Sequence, residues 1–184
     1  TDQKFISVVG GVFVTYYPQI FEDQVDYICR GEGDEVIPEL MDLISDGKDG
    51  HHLAKIHPNP MRPAIDVNTL PPTDHEIFDE RSLYRPFQGK IIKVATVETQ
   101  RGCPFRCKFC NSPSNAGLYK EETDSLFFRH RTVEHIEKEI QHLIKTIDVE
   151  FLWIITDTLL TTSKKKFDEF KYSLIIIFIE TFGL

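Results

Sequence analysis

The chain has 184 residues, 41% of them apolar and 27% charged, the mix of a folded globular protein rather than a disordered one. Lys plus Arg number 21 against 29 Asp plus Glu, a net charge of −8, which argues against a nucleic-acid binder working through a broad basic face. Four cysteines are too few for a secreted disulfide scaffold, and no uncharged apolar stretch reaches the roughly 18 residues of a membrane span.

The first residue is Thr1, with no charged-then-apolar leader after it, and an apolar run lies close to Leu184. These ends lead to the expectation of an internal piece of a longer protein. Residues 5–9, Phe-Ile-Ser-Val-Val, form a β-type run stopped by Gly10-Gly11. Residues 25–29, Val-Asp-Tyr-Ile-Cys, form a second, stopped by Gly31-Glu32-Gly33. Val36, Ile37, Leu40, Met41 and Ile44 then recur at helical spacing, with Asp34 as the expected N-cap and Pro38 tolerated in the first turn. Six of the ten prolines fall between His57 and Pro86. Proline lacks an amide donor and fixes its own φ, so residues 47–89 are expected to be an extended linker, neither helix nor central strand.

Residues 91–95, Ile-Ile-Lys-Val-Ala, read as a strand leading toward Cys103. Val133, Ile136, Ile140, Leu143, Ile144 and Ile147 mark an amphipathic helix, with Thr132 as N-cap and Lys145 near its end. Residues 151–155, Phe-Leu-Trp-Ile-Ile, predict a strand, and residues 164–179 a helix presenting Phe167, Phe170, Leu174 and Phe178 on one face. The lysine run at 164–166 is read as a solvated helix start. Strand–helix–strand–helix order implies an α/β fold with parallel strands and right-handed crossovers.

The segment that carries chemistry is Arg101-Gly102-Cys103-Pro104-Phe105-Arg106-Cys107-Lys108-Phe109-Cys110. Its cysteines are spaced four and three apart, so one loop can wrap three thiolates around one metal centre. Gly102 allows a tight turn and Pro104 stiffens the loop entry. Arg101, Arg106 and Lys108 favour thiolate over thiol. A structural zinc site takes four ligands, usually as two separated pairs, and the nearest histidine after the loop is His130. An electron-transfer four-iron cluster also takes four cysteines, and the remaining one, Cys29, lies across the proline-rich zone. Three thiolates on a four-iron cube leave one iron open, which points to substrate or cosubstrate binding.

The Cys103-x-x-x-Cys107-x-x-Cys110 loop, with an aromatic before its last cysteine and a strand before its first, resembles the cluster loop of the radical S-adenosylmethionine superfamily. The resemblance implies that Cys103, Cys107 and Cys110 hold a 4Fe–4S cluster. Its open iron would chelate S-adenosylmethionine, with Phe109 packing near the adenine. In the superfamily the end of the second strand binds the cosubstrate amino group; here Asp157 fits that role and Thr156 stands where a second Asp is common. The cofactor carries the radical chemistry and the protein places it.

Gly10-Gly11, the strand at 25–29 and the acidic Gly31-Glu32-Gly33-Asp34 segment, at this distance before such a loop, resemble the closing part of a Rossmann-like cobalamin-binding domain. The paired glycines would let the backbone approach the corrin. The resemblance therefore implies residues 1–46 as the end of a cobalamin domain, 47–89 as linker, and 90–184 as the first βα units of a partial (β/α) barrel. Asp49-Gly50-His51-His52 approaches the family's cobalt-ligand signature, but Ala54 replaces its glycine and the segment follows the double glycine instead of preceding it. His51 and His52 are read as solvated loop residues. The implied activity is radical cleavage of S-adenosylmethionine, linked through cobalamin to methyl transfer or rearrangement, on a small-molecule substrate. The implied partner is a one-electron donor such as flavodoxin or ferredoxin, with no nucleic acid and no membrane, in the cytoplasm. The chain alone is expected to hold a labile cluster without turning over. Rival readings are a zinc or iron–sulfur module without catalysis, and a radical enzyme without cobalamin.

Overall fold

A computed structural model describes residues 5–48, 50 and 61–182, apart from the side chains of residues 160 and 178–182. The Asp49 and His51-His52 reading lies outside these residues. The chain is α/β and divides into two compact units: one of Thr1–Ile65 with Ser114–Phe127, the other of Asp66–Pro113 with Phe128–Leu184.

The first unit is built on two short parallel strands, β1 (Val8–Val9) and β2 (Tyr27–Ile28), with Val8 opposite Tyr27 and Val9 opposite Ile28. The expected strand from Phe5 is shorter than its sequence suggests. Two residues form the ladder, and Phe5 is 81% exposed. Before the ladder, Ser7 spends its amide and hydroxyl on Asp26, both at 2.8 Å, and so closes the strand pair from outside. Helix α1 (Val12–Tyr16) starts directly after Gly11, whose φ of 95° and ψ of −179° suit glycine alone.

Helix α2 (Val36–Ser45) buries Val36 and Leu40 against Tyr27 and Cys29. Its cap is Glu35, not Asp34, and makes no side-chain bond. The Ile37 amide, which an Asp34 cap would serve, already donates to the Gly33 carbonyl at 2.9 Å. The unit also contains helix α3 (Ser112–Thr123) from Ser114 onward, with Tyr119 and Asn115 buried. Tyr16 donates to Asn115 at 2.6 Å and Arg30 pairs with Glu122 at 2.6 Å. The Tyr119 and Phe127 rings stack.

The second unit carries a three-stranded sheet in the order β3 (Tyr84–Phe87), β4 (Lys90–Glu98), β7 (Phe151–Ile155). β3 and β4 form a hairpin whose turn residues, Gln88 and Gly89, have φ of 48° and 76°. Positive φ at both central positions makes the two-residue turn that matches strand twist. The proline-rich stretch thus ends in a strand. Pro86 is accommodated because β3 is at the sheet edge, where a missing donor costs least.

β4 and β7 are parallel, with Thr96 opposite Trp153 and Glu98 opposite Ile155, and the crossover is helix α4 (Val133–Ile147). Thr132 caps α4 as its sequence suggests, accepting from the His135 amide at 3.2 Å. Ile136, Ile140, Leu143 and Ile147 face Ala95 and Val97 of β4, and helix α5 (Lys164–Phe182) adds Phe170 and Leu174. A two-residue antiparallel ladder, β5 (Gln100–Arg101) with β6 (Arg129–His130), completes the unit. Among the described residues no helix is long and apolar enough to cross a membrane.

Candidate cofactor site

The cysteine loop begins where β4 and β5 end. Gly102 is buried and has φ of 83°, a turn that a side chain would strain. From Cys103 to Asn111 no residue is buried. Phe109 is 94% exposed and Phe105 56%. Helix α3 begins at Ser112, whose amide points at Cys110 Sγ at 3.4 Å. The Cys110 amide donates to the Cys107 carbonyl at 3.2 Å, which forms a tight turn between those two ligand candidates.

All four cysteines are free; Cys29 is buried and Cys107 and Cys110 are exposed. Burial, above all, pushes the Cys29 thiol above its ordinary pKa; Arg62 pulls the other way and Asp34 adds to the rise. A packed, protonated thiol is a poor ligand, whereas the loop thiols are reachable and flanked by Arg106 and Lys108. Among the described residues no three His, Cys, Asp or Glu side chains gather around a point that one ion could fill. A four-iron cube takes one thiolate per iron, so its ligands need not meet at one ion. Three accessible sulfurs on a loop with no packing of its own, next to an amide aimed at one of them, fit such a group.

The second strand end lies beside the first. The Thr99 amide donates to the Ile155 carbonyl at 3.4 Å, so β4 and β7 finish level. Thr156 and Asp157 follow β7. Asp157 is exposed, and the Thr156 hydroxyl is buried with no hydrogen-bond partner among the described residues. The Gln100 side chain, 3% exposed, donates to the Thr158 carbonyl at 2.7 Å. The structure thus brings the entry to Cys103 and the exit past Asp157 to one end of the sheet. Gly10 and Gly11 belong to the other unit. A Cβ at Gly11 would meet nothing within 4 Å, so its need for glycine is conformational, and open space lies beside it.

Sequence reasoning missed a buried polar cluster behind this strand end. Arg131 and Glu139 pair with side chains only 6% and 3% exposed. Arg131 also donates to the Glu98 carbonyl at 2.7 Å and to His135 Nδ1 at 2.9 Å. Glu139 accepts from the Thr73 hydroxyl at 2.7 Å, and His135 Nε2 meets the Leu70 carbonyl at 2.8 Å. The available signal was a glutamate at 139, inside the apolar stripe of α4 beside Ile136, Ile140 and Leu143. A charge there needs a buried partner.

No family model matches the chain, and no solved structure matches it. Among curated proteins it is 31% identical over 186 residues to the anaerobic magnesium-protoporphyrin IX monomethyl ester cyclase of Rubrivivax gelatinosus, covering 92% of this chain and 31% of the relative. It is 25% identical over 179 residues to an uncharacterised methyltransferase of Pyrococcus horikoshii, covering 91% and 36%. It is 25% identical over 161 residues to the bacteriochlorophyllide d C-8(2)-methyltransferase of Chlorobaculum tepidum, covering 86% and 33%. The chain belongs to the radical S-adenosylmethionine superfamily. It spans about a third of the length of these relatives.

Proposed function

We propose that the chain is the part of a radical S-adenosylmethionine enzyme that holds the iron–sulfur cluster and begins cosubstrate binding. The observation that supports this best is the loop of three free cysteines, unburied from end to end, set at the shared end of two parallel strands. In this reading Cys103, Cys107 and Cys110 each give a thiolate, and Arg106 and Lys108 offset the added negative charge. A cluster held there would supply the single electron for reductive cleavage of S-adenosylmethionine. The Asp157 carboxylate would accept from the cosubstrate ammonium, the Thr156 hydroxyl, without a partner among the described residues, would gain one, and Phe109 would cover the adenine.

Residues 1–46 are then the end of a cobalamin-binding domain, 47–89 a connection and 90–184 the start of a partial barrel, with Gly10 and Gly11 beside the corrin. The relatives' names divide between ring closure and methyl transfer. The reading is accordingly a carbon-centred radical reaction on a small molecule, linked to cobalamin and fed by a one-electron donor such as flavodoxin or ferredoxin in the cytoplasm.

Anaerobic reconstitution with iron and sulfide tests this. The chain is expected to take up about four irons, as a 4Fe–4S centre requires, and to give an electron-spin signal that S-adenosylmethionine alters. Cys107→Ala abolishes both. A colourless protein with one tightly held zinc, or a signal that ignores the cosubstrate, defeats the proposal.

A further inference from the structure

Cys103 stands only five residues beyond Glu98, and the loop it opens has no buried residue to fix it. Its position is therefore set by whatever holds the end of β4. Two consecutive carbonyls there are taken by one residue. The Arg131 guanidinium donates to the Glu98 carbonyl at 2.7 Å, and the Arg131 amide donates to the Thr99 carbonyl at 3.0 Å. The next residues, Gln100 and Arg101, pair with His130 and Arg129. Arg131 is itself fixed from behind by Glu139 and by His135 Nδ1, both on α4. Glu139 and His135 are in turn tied to Thr73 and Leu70.

We infer that Arg131 is a positioning residue for the cofactor site: through its grip on Glu98 and Thr99 it fixes where Gly102 turns and where the Cys103 thiolate is delivered. The inference rests on the reading of the loop as the cluster site. The planar guanidinium matters because it serves several acceptors at once: a carboxylate, a carbonyl and an imidazole nitrogen. A lysine ammonium can neutralise Glu139 but has no fixed fork to reach the others. Gln100 extends the arrangement to the other strand end, because its side chain ties β5 to the Thr158 carbonyl one residue past Asp157.

The test compares the chain with its Arg131→Lys variant. A second variant, Arg131→Met with Glu139→Leu, replaces the buried pair by apolar residues of similar volume, an exchange that commonly keeps a fold intact. In metal-free protein, amide hydrogen exchange across residues 98–103 is expected to quicken about tenfold or more in both variants, with exchange along α4 unchanged. After reconstitution, both variants are expected to release iron to a chelator about tenfold faster, the size of effect seen when a residue supporting a metal ligand is removed. Unchanged exchange at 98–103, or a uniform rise across the whole unit in both variants, overturns the inference and reduces Arg131 to a packing role. Unaltered iron release in either folded variant overturns it as well. If the unmodified chain takes up no cluster, the proposed function fails instead, and the exchange comparison still decides whether Arg131 clamps the strand end.

Discussion

His130 lies on β6, its ring edge-on to Phe128 at 4.6 Å. Burial first, and the Lys166 ammonium second, hold its imidazole below the ordinary 6.5. The folded state therefore favours the neutral ring. The resulting stabilisation is in place above pH 6.5 and is lost as the pH falls through the lowered value. His130→Gln is expected to flatten the acid side of a stability-against-pH profile below about pH 6.5, measured by denaturant midpoints at a series of pH values. A profile that falls as steeply without the imidazole assigns the acid loss to the carboxylates. At this scale the sequence is a poor guide to placement. The four- and three-residue spacing of the loop cysteines is plain in the sequence, whereas nothing in the pattern says that Thr156 keeps a buried hydroxyl with no partner among the described residues. Asp34 misleads because its helical role is taken by a backbone carbonyl, Gly33, which no side-chain rule sees.

Helix α4 is the element that sequence describes most fully, for physical reasons. Its apolar residues follow the 3.6-residue period, and its cap is a threonine followed by a good first turn. Thr132→Ala removes the acceptor for the His135 amide and is expected to cost about 1 kcal/mol. Leu143, fully buried beneath the sheet, is expected to cost about 2–5 kcal/mol as Leu143→Ala, since a cavity remains where the side chain was. Urea unfolding monitored through Trp153 measures both. Equal losses for the two would mean that α4 is not packed as described. Helix α3 escapes notice because Pro113, Ser114, Asn115 and Gly117 crowd its first half, none of them strong helix formers. Its formation comes from tertiary contacts such as Tyr119 on Phe127 and Tyr16 on Asn115, which no local pattern contains. The β5–β6 ladder is invisible for a related reason: two residues on each side are too few to make a period.

For the molecule as a whole, the alternation along β7 has a cost. Leu152 joins the core under α4 and α5, while Phe151, Trp153 and Ile155 point to the other face and are 39%, 59% and 52% exposed. Among the described residues β7 pairs with β4 alone, so an apolar face and a free strand edge coincide. Both features promote self-association. The 184-residue chain is expected to scatter more light as its concentration rises, and Trp153→Thr with Ile155→Thr to lower that scatter without lowering the unfolding midpoint. Scatter that persists in the double variant places the sticky surface elsewhere. The α/β class was legible because strands and helices alternate in the sequence. The grouping of Ser114–Phe127 with residues far earlier in the chain was not, since nothing local marks such a return.

The segment between Gly102 and Ser112 contributes no side chain to either interior. Were the proposed cluster held there, its loss and replacement would not require the polypeptide to pass through an unfolded state. In a zinc finger, losing the ion means losing the architecture. Here damage and repair would be confined to nine residues, and a bleached molecule would remain a ready receptacle for fresh iron and sulfide.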